Sequence, residues 1–318
     1  MPALLKLWVR RLVLFLVVTL ALVYLVHLPA GVAQEWLPDQ SKWQVFYSPA
    51  QYWRQTSQFW TELASGGIVY HHSDRHHIPF MEVLHDSWQN TGRIFAMAVV
   101  AGGFLGVVVG SLAALRSRVF GFLSLLLAIV GLSLPDFLVV MGGQVATLWT
   151  SRTFGFRLWP ILADPQTPGG WVLPVAVLSL APLGYMARLT AAALDEILRE
   201  DYIRTARSKG LAEFRVIFGH AFRNALPRLY GGLPSLLNVV LSSVPVVEQL
   251  TTWPGLGKWL VPAGGYADFG TGSPIWIGVS PAMIAMSGMT LVAMFMVLDG
   301  VAQSLVLVYS RKPEGVRA

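Results

Sequence analysis

The stretch Glu200-Asp201-Tyr202-Ile203-Arg204-Thr205-Ala206-Arg207-Ser208-Lys209-Gly210-Leu211 decides how the rest of the chain is read. It lies in a polar segment, 188–228, between two apolar runs, Trp171 to Ala187 and Leu229 to Val247. Apolar positions inside the segment follow helical spacing in two blocks. Leu194, Ile197, Leu198 and Tyr202 share one face of the first, and Phe214, Ile217, Phe218, Ala221 and Phe222 share one face of the second. Gly210 separates them, where a helix that ends needs a residue free to take positive φ. The spacing predicts helix, glycine corner, helix. On periodicity alone, such a hairpin can lie in the lipid interface, pack under its own bundle, or be received by a partner.

Outward from this segment the chain is apolar. Hydrophobic residues make up 54% of its 318 and charged ones only 13%, too apolar for the surface of a soluble globule. A mean hydropathy of +0.57 agrees. A spanning helix needs about 20 apolar residues, because the hydrocarbon is about 30 Å thick and each residue rises about 1.5 Å. Six stretches qualify: Leu12 to Leu28, Ile94 to Leu115, Phe120 to Trp149, Trp171 to Ala187, Leu229 to Val247, and one within Ile275 to Tyr309. The last is expected to be one tilted or kinked helix starting at Pro281, after an interfacial segment around Trp276. The predicted fold is an all-α polytopic membrane protein with six transmembrane helices. Twelve Trp and nine Tyr suit the headgroup boundary, where a ring keeps its polar edge wet.

Positive side chains resist translocation, so Lys/Arg asymmetry orients the chain. With the amino terminus inside, sixteen of the 23 Lys and Arg fall in inner segments: Lys6, Arg10, Arg11, Arg116, Arg118, eight between Arg188 and Arg228, and Arg311, Lys312 and Arg317. The outer segments hold Lys42, Arg54, Arg75, Arg93, Arg152, Arg157 and Lys258, spread over much more sequence. Both termini are therefore expected in the cytoplasm. The same distribution explains the net charge of +6 without nucleic acid. The first apolar run also has the layout of a signal peptide, with a basic start, a core from Leu12 to Val26 and small residues at Gly31 and Ala33. The absence of cysteine excludes disulfides, thiolate metal sites and a cysteine nucleophile.

The expected layout is a stub and first span over 1–30, a small extracytoplasmic cap over 31–93, a transmembrane core over 94–310 containing the loop 188–228, and a cytoplasmic tail over 311–318. The cap is too polar to cross lipid and too long for a bare turn. It contains His71, His72, His76 and His77 around Asp74, a sufficient donor set for Zn, Ni or Cu. In a polar outside loop the plain alternative is a solvated cluster, and no metal site is assigned. In the second span Ala98, Gly102, Gly106, Gly110 and Ala114 recur at every fourth position, a stripe that lets another helix approach closely.

Residues 200–211 resemble the cytoplasmic coupling motif of permease subunits of binding-protein-dependent ABC importers, in the dipeptide, oligopeptide and nickel branch. The continuation His220-Ala221-Phe222-Arg223-Asn224-Ala225-Leu226-Pro227 is similar to the same branch. So are Gln51-Tyr52-Trp53 and Pro79 in the cap, Ser133-Leu134-Pro135-Asp136-Phe137 in the third span, and Glu248 with Trp253-Pro254-Gly255-Leu256-Gly257 after the fifth. These matches run in family order from about Leu12 to Val308. There are departures. Arg204, Thr205 and Ala206 stand where the wider superfamily has Glu-Ala-Ala, Ser242, Ser243 and Pro245 occupy a region where the branch often has glycine, and Ser310-Arg311-Lys312 replaces a closing Asp-Pro-Arg.

The resemblance implies a type I importer permease fold that uses the first apolar run as a span. It implies a second homologous permease, two ATPase subunits carrying ATP and Mg, and an extracytoplasmic substrate-binding protein, in a bacterial or archaeal cell membrane. It assigns ATPase coupling to Glu200, Asp201, Tyr202, Arg204, Ala206, Gly210, Leu211, His220 and Asn224, with Ala206 and Gly210 small enough for close approach. Pathway or gate positions would be Ser133, Pro135, Asp136, Glu248, Pro254, Gly255, Gly257 and Asp299; Asn238 is a further polar group within a span. For Asp136 the plain alternative is a carboxylate that satisfies amides freed by Pro135, and for Glu248 an ordinary headgroup-level carboxylate. The chain has no phosphate-cradling loop of its own, because Gly257-Lys258-Trp259 lacks the leading glycine and the hydroxyl. The rival readings are an ion-coupled secondary transporter working through Asp136 and Asp299, and a membrane metalloprotein built on the histidines.

Overall fold

The structure, a computed structural model, describes residues 2–37, 42–67, 69–73, 76–115, 118–260 and 281–310. In chain order the elements are α1 (Pro2–Val26), β1 (Val32–Leu37), β2 (Lys42–Tyr47), α2 (Pro49–Ser65), β3 (Val69–Ser73), β4 (His76–Pro79), α3 (Phe80–Ala113), α4 (Arg118–Ser133), α5 (Asp136–Phe154), α6 (Val172–Ile197), α7 (Asp201–Ser208), α8 (Glu213–Arg215), α9 (Phe222–Thr251) and α10 (Pro281–Ser310). Among the described residues, five helical runs are long and apolar enough to cross a membrane. A sixth crossing is made if α4 and α5, bent by 104°, count as one. The fold is mostly helical. Among the described residues the strands form two antiparallel hairpins, β1–β2 and β3–β4, both in the expected cap.

Three expectations are corrected. The third apolar run is two helices, interrupted at Leu134 and Pro135. Proline brings no N–H and disfavours a helical residue before it, so interruption costs least there. Pro135 is extended (φ −60°, ψ 134°) and its carbonyl accepts from the Leu138 and Val139 amides, restarting the helix. The helix that carries the second span begins at Phe80, well before Ile94, so residue 93 lies inside a helix. Thirty-four residues make a helix of about 50 Å, longer than the hydrocarbon. Its first turns carry Glu82, His85, Asp86, Gln89 and Asn90, which hide it from a hydropathy reading. The second block of the hairpin is not a separate helix either. Glu213 to Thr251 is one helical run, passing from α8 through a π-helical turn at Val216–Ala221 into α9. The segment around Trp276 and the tail from 311 lie outside the described residues, and α10 starts at Pro281 as expected.

The chain divides into two compact units. In the first, formed by 1–8, 91–253 and 295–318, α6 is the central helix, with fifteen of its residues buried, too many for a single apolar stripe. A Cβ built on Gly102 would stand 2.5 Å from the Ser179 carbonyl, one on Gly106 2.5 Å from the Leu183 carbonyl, and one on Gly110 would strike the Ala187 carbonyl. The fourth-residue step of α3 thus meshes with the fourth-residue step of α6, backbone against backbone, as small residues permit. Ala98 is buried on the same stripe. A second seam joins α4 to α6, where Gly131 faces the Leu180 carbonyl and Gly184 the Leu127 carbonyl.

The other unit comprises 9–90 and 254–294. Its core is Val23, Phe59, Ala285 and Met286, with Trp60, Leu63 and Trp259 around them. The buried His27 ring bonds through Nδ1 to the Val23 carbonyl at 2.8 Å and lies 5.1 Å from the Phe59 ring. Ser48 caps α2 through the Gln51 amide, and Tyr52 on that helix donates to the Tyr24 carbonyl at 3.1 Å. Trp259 donates from Nε1 to Ser87 Oγ at 3.0 Å.

Candidate functional site

Between α6 and α9 the chain makes an elbow. Helix α6 stops at Ile197, and Leu198 to Glu200 turn the chain into α7, with the Ile203 amide bonding to the Glu200 carbonyl at 3.1 Å. Asp201 opens α7 and Arg207 closes it, each at the end where its charge opposes the helix dipole. The Gly210 amide bonds to the Arg207 carbonyl at 2.9 Å, and Gly210 takes φ +79°, a left-handed value that only glycine adopts without strain. Ala212 is extended before α8 begins.

One face of the elbow is anchored. Ile203 and Ala206 from α7 pack with Ala193, Leu194 and Ile197 of α6 and with Val216, Ile217, Ala221 and Ala225 of the returning run. Leu211 joins the edge of this cluster. Arg207 reaches across the corner, donating to Glu213 from Nε at 2.8 Å and Nη2 at 3.2 Å and to the Leu198 carbonyl at 3.4 Å. Asn224 Nδ2 donates to Tyr202 Oη at 2.7 Å, and Arg228 pairs with Glu196 through both guanidinium amines. These polar ties are exposed, so each is worth little in stability. Apolar burial holds the elbow, and the ties set its angle.

The opposite face is open. Glu200, Asp201, Tyr202, Arg204, Lys209, Gly210, His220 and Asn224 are all exposed. A Cβ on Gly210 would meet nothing within 4 Å. Phe214 is 64% exposed and stacks on Phe218 at 4.5 Å, so two large apolar rings face outward. The expected five-residue face of the second block therefore splits: Ile217 and Ala221 turn inward at the π turn, Phe222 packs at the edge of the cluster, and Phe214 and Phe218 stay outside. Ala206 is also placed differently from expectation. It is 8% exposed and turned into the chain's own cluster, so its small side chain serves packing beneath α7 and no approach from outside. Sequence reasoning missed Arg207 with Glu213, whose opposite charges flank the glycine corner. It missed Glu196 with Arg228, which are 32 positions apart and carry no local signal.

The pathway candidates separate. Ser133 and Pro135 are exposed at the break, and Asp136 is partly buried at the first turn of α5. Its carboxylate makes no hydrogen bond among the described residues. Glu248 is fully buried, which removes the headgroup-level reading, and Thr91 Oγ1 donates to its Oε1 at 2.6 Å. Near it the Ala163 amide bonds to the Thr251 carbonyl at 2.9 Å, and Gln144 Nε2 donates to the Leu250 carbonyl at 3.0 Å. Pro254, Gly255 and Gly257 belong to the other unit, where Asn90 Nδ2 donates to the Pro254 carbonyl at 3.0 Å. Asp299 is 7% exposed, with Gln303 Nε2 3.4 Å from both its oxygens. Asn238 Oδ1 is buried and has no hydrogen-bond partner among the described residues. His71, His72, His76 and His77 lie on the β3–β4 hairpin, with His71 opposite His77; their side chains, and Asp74, lie outside the described residues. Among the described residues no group of three or more His, Asp or Glu could hold a metal.

Comparison with known proteins points the same way. The family model described as "Binding-protein-dependent transport system inner membrane component" matches residues 106–306. The dipeptide transport system permease protein DppB of Bacillus subtilis is 36% identical over 174 residues, covering 54% of each chain. The di/tripeptide transport system permease protein DppB of Pseudomonas aeruginosa is 34% identical over 197 residues, 54% of this chain and 58% of the relative. The chain thus spans about half the length of the curated relatives it matches. Among solved structures, an inward-facing form of the MetNI methionine ABC transporter has a chain that superposes with a TM-score of 0.50 at 17% identity, covering 72% of this chain and 97% of that one. That likeness is one of fold.

Proposed function

The chain belongs to the binding-protein-dependent transport system inner membrane component family, and from that premise we propose that it is the permease subunit of an importer that moves peptides inward on force from ATPases encoded elsewhere. As a family member it is a multi-pass inner-membrane protein with a type I importer permease fold. The partners proposed are a second homologous permease, two ATPases that carry ATP and Mg, and an extracytoplasmic binding protein that delivers cargo. The termini and the elbow are proposed to face the cytoplasm, with the cap outside. Peptides are favoured over nickel complexes because the relatives reported above are named for peptide transport.

The carrying observation is the two-faced elbow: an apolar side seated on the ends of α6 and α9, and an open side with Gly210 at its apex. Force applied to that open side passes into both helices through a packed cluster, which moves as a body because close-packed side chains do not compress. Glu200, Asp201, Tyr202, Arg204, His220 and Asn224 supply its polar surface. An ion-coupled carrier would leave this surface without a role. Gly210→Trp tests the reading, since a Cβ there meets nothing within 4 Å among the described residues. With the ATPases present, it is expected to leave membrane insertion and ATP hydrolysis intact while peptide uptake falls about tenfold or more, with Gly210→Ala as the control for strain at positive φ. Normal uptake by the tryptophan variant would sink the proposal.

A further inference from the structure

The structure contains a groove of about 690 Å³ among the ends of α3, α4 and α6, separate from the open face of the elbow. Its walls combine small or apolar residues, among them Ala113, Gly121, Leu125, Ala191 and Ala192, with Ser124 and three charged side chains. The space exceeds twentyfold the share of one water in the liquid, about 30 Å³, so it admits a group far larger than a single water. Helices α3 and α6 are each apolar enough to cross a membrane, and α4 is so together with α5, so the groove lies between membrane-crossing runs.

Its charge is not neutral. Asp195 pairs with Arg199 at 2.6 Å, which leaves that guanidinium compensated. Arg188 also lines the groove, is exposed, and makes no hydrogen bond or ion pair among the described residues. It stands nine residues before the end of α6, about 14 Å along the axis. The apolar run Trp171 to Ala187 ends just before it, so Arg188 stands at the edge of the hydrocarbon, where a long cationic side chain keeps its stem in the apolar layer and its head at phosphate level. A basic, small-walled slot between spans matches the chemistry of an anionic glycerophospholipid, with the acyl chain along the alanines and glycine and the phosphodiester on Arg188. We propose that this groove is a binding site for one anionic phospholipid. A free phosphate would use the arginine and leave the apolar slot unexplained. The site depends only on the chain being in a bilayer, so it stands or falls separately from the transport reading.

Gly121 supplies a clean probe, because a Cβ there meets nothing within 4 Å while the position lines the groove. The full chain, purified with the subunits that accompany it, would be titrated with phosphatidylglycerol or phosphatidylcholine and examined by native mass spectrometry. One phosphatidylglycerol per chain should be retained at about tenfold lower lipid concentration than phosphatidylcholine. Arg188→Gln should weaken phosphatidylglycerol retention about fivefold and leave phosphatidylcholine unchanged, the effect of one juxtamembrane cation. Gly121→Leu should remove the retained lipid without lowering the thermal midpoint; if that variant does not fold, Arg188→Gln decides alone. Equal retention of the two lipids, retention unaffected by either substitution, or displacement of the lipid by millimolar inorganic phosphate would each overturn the site. So would crosslinking of Gly121→Cys to a companion subunit in a preparation holding no lipid, which would make the groove a protein interface.

Discussion

Helices α6 and α4–α5 both carry proline, and they treat it in opposite ways. Pro182 is buried inside α6, which runs unbroken from Val172 to Ile197. Pro135 is exposed, and the chain bends there by 104°. Helix α9 absorbs Pro227, Pro234 and Pro245 without ending. A proline removes one hydrogen bond and crowds the preceding turn wherever it sits, so the residue alone does not decide. Neighbours do. Pro182 is clamped at Gly102, where a Cβ would stand 2.8 Å from its ring, and the backbones of α3 and α6 mesh on both sides of it. Among the described residues no glycine seam of this kind holds the exposed Pro135. Helix α4 is tied to α6 as far as Gly131, while α5 is tied elsewhere, through Gln144 to the Leu250 carbonyl and through Gly143 against Leu173. Proline marks where interruption costs least, and packing sets the angle.

The largest effect is expected at the seam between α3 and α6. Gly106→Leu drives a side chain into the Leu183 carbonyl, which cannot yield alone; a loss of about 3 kcal/mol is expected, read as loss of monodisperse protein on gel filtration and a collapsed thermal midpoint. A well-folded variant would show that the close approach does not hold α6. Gly131→Ala sets a methyl against the Leu180 carbonyl and should cost about 1–2 kcal/mol, because α4 is free to shift at its broken end; a midpoint as low as that of Gly106→Leu would mean the break gives no relief. Pro135→Ala returns an amide that the bent chain has no use for and should cost about 1 kcal/mol. Spin labels at Val119 and Phe154 should keep their separation, whereas a rise toward the roughly 50 Å of a continuous helix would assign the bend to proline itself. The smallest change is expected for Pro182→Ala, within about 1 kcal/mol, since the helix is already continuous and the lost ring contact offsets the regained bond. A large fall there would mean that proline, and not its neighbours, shapes α6.

The interruption also bears on the pathway. Backbone freed at membrane depth is tolerated where it is covered by protein or lines water, so exposed Ser133, Leu134 and Pro135 with Asp136 beside them are consistent with a face completed by the second permease proposed above. Glu248 is the contrasting acid. It is enclosed and bonded by Thr91, and it serves the interior of its own unit first.

Residue order by itself determined the membrane class, the run of spans, the glycine stripe at 102, 106 and 110, and the corner at Gly210. These follow from hydropathy, fourth-residue spacing and the one residue type suited to positive φ, all local properties. The split of the third run, the extension of α3 back to Phe80, the fusion of the second block with α9, the inward turn of Ala206 and the burial of Glu248 were decided only in three dimensions. Each depends on which surfaces meet. Whether a proline bends a helix, which side of an amphipathic turn is covered, and whether a carboxylate is enclosed are settled by neighbours far away in the chain, to which local spacing carries no reference.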